Sequence, residues 1–162
     1  GTQGTNSFAA ERVTLWLTPQ RGLQRLLAVG DVVLRQGGTV LGAGQLNAEF
    51  DGEEGGLIRA DATDNVRICG RQAGGAGRAT GRELGFLATT GDATLLGDPE
   101  LIFWQSPIPP KEGETGKPRA IPPIRHSGDQ IIWNLRTGSI RGEGQYRVLT
   151  LPADVEIPRD CD

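Results

Sequence analysis

Short runs of alternating apolar and polar residues follow one another along the chain, broken by glycine, proline and acidic turns. Four stretches share one pattern: a small residue, two spacers, an apolar residue, a spacer and another apolar residue. They are Ala10-Glu-Arg-Val13-Thr-Leu15, Ala43-Gly-Gln-Leu46-Asn-Ala48, Gly81-Arg-Glu-Leu84-Gly-Phe86 and Gly128-Asp-Gln-Ile131-Ile-Trp133. Period-two alternation is the mark of a strand with one buried face. Each stretch passes through a polar turn into a second strand. The turns are Thr18 to Gly22, Asp51 to Gly56, Ala88 to Asp92 and Arg136 to Gly138. Glycine supplies the positive φ such turns need, and Asp or Thr bonds its own nearby backbone.

The second strands carry a signature of their own, at Gly30-Asp-Val32-Val-Leu34, Asp64-Asn-Val66-Arg-Ile68, Gly97-Asp-Pro99-Glu-Leu101 and Gly142-Glu-Gly144-Gln-Tyr146. A small or acidic pair there precedes a new alternating run, and a kink or bulge at that pair bends the strand. The alternation then predicts one inner face. Val13, Leu15 and Leu17 point one way, with Thr14 and Trp16 opposite. Leu46, Ala48 and Phe50, then Leu84 with Phe86, then Ile131, Trp133 and Leu135 match them. Val32, Leu34, Val66, Ile68, Leu101 and Phe103 join from the second strands. Four stacked strand–turn–strand units give an all-β fold, two sheets folded over an apolar interior with free strand edges at each end.

Two insertions interrupt the repeat. Arg71 to Ala79 is Gly-rich and reads as a mobile loop. Ser106 to Ile124 holds six prolines, cannot sit in a sheet interior, and reads as an extended, inert surface excursion rather than a proline-motif ligand. The length of 162 residues fits a single domain spanning residues 1–162. Aromatics are only 5%, so Leu, Val, Ile and Ala must build the core. A net charge of −3 gives no reason to expect nucleic acid. Lys occurs only at Lys111 and Lys117, and the arginine bias reads as codon usage. No run is long and apolar enough for a membrane helix. The chain opens on Gly1 and contains no Met, as expected of a processed or trimmed form. Cys69 and Cys161 fit a disulfide in an oxidising compartment and two separate thiols equally well.

Catalytic chemistry is hard to assemble from what is left. His126, the single histidine, has Ser127 and Asp129 nearby, but alternate side chains diverge on an extended chain, and it reads as a loop histidine. Cys69, Cys161 and His126 lack metal-ligand spacing. Gly74-Gly-Ala-Gly-Arg-Ala-Thr-Gly81 misses both phosphate-loop patterns and reads as a flexible linker. Asp51-Gly-Glu-Glu54 and Asp61-Ala-Thr-Asp64 are acidic turns without a full calcium loop. No enzyme, cofactor or metal is expected.

The unit, above all Ala88-Thr-Thr-Gly-Asp-Ala-Thr-Leu-Leu-Gly97 and Gly97-Asp-Pro-Glu-Leu-Ile-Phe103, resembles the OstA-like (LptA) lipopolysaccharide-transport domain, over roughly Phe8 to Leu149. The resemblance implies a twisted β-jellyroll, open along one side, in the periplasm of the Gram-negative envelope, with membrane association as a variant. It implies a bridge component that moves lipopolysaccharide or a related glycolipid from inner to outer membrane. Its acyl chains would lie against the inner-face set named above. Other jellyroll domains would be its partners, joined head to tail by edge-strand addition. The Pro-rich insertion departs from the family, the chain starts almost at the first unit, as it would with an earlier strand pair missing, and the 162 residues also fit one segment of a larger protein. Arg12, Arg82, Arg136 and Arg141 would be the groove-mouth candidates for lipid phosphates, although solvated arginines explain them as well. Two other readings use the same residues: a structural β-solenoid or sandwich module that self-assembles through its edges without a ligand, and a carbohydrate-acting enzyme on a β-helix scaffold.

Overall fold

The computed structural model describes residues 7–72, 75–106, 109–118 and 121–154. Among them every regular element is a strand: β1 (Ser7–Ala9), β2 (Arg12–Leu17), β3 (Leu23–Gln36), β4 (Thr39–Phe50), β5 (Leu57–Gln72), β6 (Gly75–Leu87), β7 (Asp92–Leu96), β8 (Glu100–Gln105), β9 (Ile124–Ser127), β10 (Gln130–Asn134), β11 (Ile140–Glu143) and β12 (Arg147–Thr150). All pair antiparallel in one continuous sheet. Strands β3 to β6 each bend in mid-length, where the register shifts or the partner changes. The pairs β1–β2, β7–β8, β9–β10 and β11–β12 are bent strands cut in two at the bend.

One layer therefore runs β2, β3, β4, β5, β6, β7, β10, β11. The other runs β1, β3, β4, β5, β6, β8, β9, β12. The twisted sheet is folded along a line of corners into two facing layers: a β-jellyroll.

Two kinds of corner alternate along that line. Gly30-Asp31, Asp64-Asn65, Gly97-Asp98 and Gly144-Gln145 all have positive φ at both residues, between 43° and 87°. Each inserts two residues, so the alternation keeps its parity: Leu26 and Ala28 face inward before the corner, and Val32 and Leu34 after it. The intervening corners, at Ala10-Glu11, Ala43-Gly44, Gly81-Arg82 and Gly128-Asp129, flip the parity: Leu41 and Ala43 face inward, then Leu46, Ala48 and Phe50. The small residues at these sites admit their neighbours. A methyl group on Gly44 would stand 2.6 Å from the Asp64 Cβ.

Three local expectations are corrected. Outside Ala73 and Gly74, which are not among the described residues, the Gly-rich stretch 71–79 is strand rather than mobile loop: β5 continues to Gln72, and β6 starts at Gly75. Gly74 lies outside the described residues, and the rest of the supposed linker to Gly81 is strand, paired with both β5 and β8. His126 is not a loop residue either. It sits in β9, hydrogen-bonded between β8 and β12. The insertion after β8 is irregular and exposed over residues 109–118, while Pro123 is fully buried where the chain rejoins the sheet.

Packing is uneven along the interior. At the β7–β10 end Leu95, Leu101, Ile131 and Trp133 are fully buried. Each contributes about 1.5–3 kcal/mol by leaving water. The Trp133 ring reaches across the fold to lie over Gly70 and Gly77, a directly paired couple on β5 and β6. Toward β1 and β2 the interior empties.

Candidate functional site

The alternation lays inward side chains in rows across the sheet. One row reads Leu15, Leu26, Ala48, Ala60, Phe86, Ala93, Trp133, Ile140. The next reads Val13, Ala28, Leu46, Ala62, Leu84, Leu95, Ile131, Gly142. The facing layer contributes Phe8, Leu34, Leu41, Ile68, Ala79, Leu101, His126, Val148. The alanines matter here. Where Ala48, Ala60 and Ala93 stand, the layers are not bridged by large side chains.

The result is a cavity of about 520 Å³ between the layers. Leu34, Leu46, Phe50, Ile68, Leu84, Phe86 and Leu135, all expected on the inner face, line it. Phe8, Leu26, Thr39, Leu41, Ala48, Leu57, Ala60 and Ala93 complete the lining. Thr39 is the one polar residue in that set. Phe8 and Leu57 are exposed, so the cavity opens to solvent. Among the described residues no polar or charged side chain is buried.

The other expected inner-face residues fall into two groups. Val32, Val66, Leu101, Ile131 and Trp133 are buried and fill the core, with Phe103 packed against it. Val13, Leu15 and Leu17 also point inward, but with nothing opposite them. They are 43%, 53% and 53% exposed, so the apolar floor continues onto open β2.

Among the described residues, a polar pair meets at the far end of the interior. His126 faces inward, and its Nδ1 is hydrogen-bonded to the Tyr146 hydroxyl with the rings stacked, centroids 5.7 Å apart. Burial lowers the imidazole below its ordinary value and raises the phenol above its own. Tyr146 lies so close over Gly142 that a Cβ there would enter its ring. Each group occupies the other, and Ser127, one residue on, faces the opposite side of the strand. The candidate arginines do not converge. Arg82 pairs with Asp98 at 2.8 Å on the corner line. Arg136 donates to the Thr89 carbonyl at 2.8 Å and to that of Ala88, at the opposite end of the strands. Arg141 stands 3.9 Å from Asp92, and Arg12 is exposed on β2. No group of three His, Cys, Asp or Glu among the described residues is placed to hold a metal.

The sequence matches no protein-family model and no curated protein. Among solved structures, it is similar to the crystal structure of LptH, the LptA-homologous periplasmic component of the conserved lipopolysaccharide transport device from Pseudomonas aeruginosa. The TM-score is 0.67 at 15% identity, over 92% of this chain and 96% of that one. The chain has the fold of LptH. At that coverage the likeness is one of the whole fold rather than of a few strands.

Proposed function

We propose that this chain is a periplasmic component of a lipopolysaccharide-transport bridge that holds glycolipid acyl chains between its two layers without chemical turnover. The observation that carries the reading is the open cavity of about 520 Å³, lined almost wholly by apolar side chains. Acyl chains entering it leave water at about 0.8 kcal/mol per buried CH₂, and no polar catalytic group is needed for that. The charged headgroup stays outside, because nothing among the described residues pays for a buried charge. The fold shared with LptH points to the same transport device. Cys69 is disulfide-bonded, which suits an oxidising compartment such as the periplasm. Strands β1 and β2 at one end, and β11 and β12 at the other, each pair on one side only among the described residues. They are the edges for joining neighbouring jellyrolls.

Co-elution of the purified chain with detergent-free lipopolysaccharide tests the reading. The native chain and an outward-facing control, Arg67→Ala, are expected to carry lipid. Phe86→Arg, which puts a charge into the cavity, and Ala60→Phe, which fills it, are expected to lose at least tenfold while keeping their β circular-dichroism spectrum. Equal lipid on all four, or none on the native chain, overturns the proposal. Self-association of a lipid-free native chain would favour the structural module instead.

A further inference from the structure

The cavity runs across the strands rather than along them. Its lining passes from Phe8 on β1 through β3, β4, β5 and β6 to Ala93 on β7. From β3 to β7 is four strand spacings, about 19 Å. Phe8 and Leu57 are exposed, so the mouth lies toward β1 and the β4–β5 turn. At the far end the lining stops at Ala93 and Leu135. The inward rows continue past that point, to Ile140 on β11 and His126 on β9. Neither of these lines the cavity.

Trp133 stands directly behind the last lining residues. It pairs with Ala93 across β7 and β10, and it lies two residues before Leu135 on the same strand face. Its ring spans the interior to the other layer. A Cβ on Gly70 would meet a ring carbon at 3.5 Å, and one on Gly77 at 2.9 Å. On the corner side of the ring, Leu95, Ile131 and Leu101 are fully buried and fill the space between the layers. The interior is thus partitioned at β10. Sizes along the first-layer row place the partition: alanine at 48, 60 and 93 leaves the layers apart, and the next residue, Trp133, bridges them. Among the described residues the Trp133 Nε1 has no hydrogen-bond partner. A smaller side chain there opens the partition without breaking a polar contact.

The partition has a consequence for what the cavity takes. Each CH₂ of a chain inside an apolar cavity strengthens binding about fourfold. A CH₂ that reaches a close-packed wall gains nothing, because the wall has no room to give. We propose that Trp133 is a specificity-determining residue of the cavity, and that it sets the greatest acyl-chain length the interior accepts. Chains lie across the strands with the methyl end toward β10. The inference rests on the reading of the cavity as an acyl-chain site.

A series of saturated fatty acids of increasing length, titrated against the purified full chain by displacement of a fluorescent naphthylamine, tests it. In the native chain affinity should rise about fourfold per added CH₂ and then level off at a limiting length. Trp133→Leu should keep the slope and move the limit outward by about one strand spacing, roughly 5 Å. Trp133→Ala, the larger opening, should move it at least as far, with β circular dichroism confirming the fold of each variant. Val66→Ala loosens the core beside a corner without touching the partition, and should leave the limit where it is. The same limit in the native and Trp133→Leu chains overturns the inference and leaves the acyl reading standing, as does a native chain whose affinity never levels off. A native chain that binds none of the fatty acids overturns both.

Discussion

The indole of Trp133 rests on the α-carbon of Gly77, and a methyl group there would stand 2.9 Å from two ring carbons. Trp133 is fully buried, and among the described residues its Nε1 has no hydrogen-bond partner. Its place there is held by shape. Gly77→Ala is expected to cost about 1–3 kcal/mol through overpacking, seen as a fall of several degrees in Tm. Trp133→Phe should relieve part of that cost in the double variant. Strict additivity of the two substitutions in thermal melts would show that the contact does not couple them.

The His126–Tyr146 pair makes stability depend on pH in a definite direction. Burial holds the imidazole below 6.5, its ordinary value, so the unfolded chain binds a proton more readily than the folded one. The contribution is present above pH 6.5 and is lost as pH falls toward the lowered value. Burial also raises the Tyr146 phenol above 10.0, so its contribution holds below pH 10 and is lost as pH rises through the raised value. Denaturant midpoints measured from pH 8 down to 5.5 should therefore fall in the native chain and flatten in His126→Gln. Parallel curves for the two proteins would remove His126 from the explanation.

At the second corner Asp64 and Asn65 have φ of 67° and 54°. Side chains other than glycine pay for that region, β-branched ones most. Asn65→Gly is expected to be neutral or stabilising by up to about 1 kcal/mol, and Asn65→Val destabilising by about 1–2 kcal/mol. Urea midpoints check the order, and a Val variant as stable as the Gly variant would contradict the corner geometry.

These corners also explain what the sequence makes legible. Gly30-Asp31, Asp64-Asn65 and Gly97-Asp98 carry their left-handed backbone in their own residue types, so these bends are readable locally; the fourth, expected at Gly142-Glu143, lies two residues on at Gly144-Gln145, because β11 runs through Glu143. The parity flip at the small-residue corners is not. Alternation read forward from Ala10 or Ala43 reaches Leu15, Leu46 and Ala48 but misses Phe8 and Leu41, which lie on the near side of the flip. Leu26 is hidden in the apolar run Leu26-Leu27, which shows no alternation. The Gly-rich start of β6 resembles a loop because the reason for Gly77, the ring of Trp133, lies far along the chain. His126 looks like part of the insertion because its strand is defined by partners on both sides rather than by its own short segment. The cavity itself depends on Ala48, Ala60 and Ala93 falling in one row across β4, β5 and β7, which no single strand reveals.

Arg136 ties the β10–β11 turn to the β6–β7 turn through the carbonyls of Ala88 and Thr89. The contact is exposed, so Arg136→Ala is expected to cost only about 1 kcal/mol. Arg136→Lys should not restore it, because an ammonium cannot fork onto two carbonyls in fixed geometry. Full rescue by lysine in chemical denaturation would argue for charge rather than geometry.

The most direct measurement is photo-crosslinking in cells from a benzophenone side chain placed singly at Leu41, Phe86, Trp104 or Arg67. Leu41 and Phe86 line the cavity from facing layers, whereas Trp104 and Arg67 face outward. Lipopolysaccharide adducts at Leu41 and Phe86, and none at the two outward positions, are the expected result. Absence of adducts at both cavity positions, with the protein folded and exported, would contradict the lipid-carrying interior.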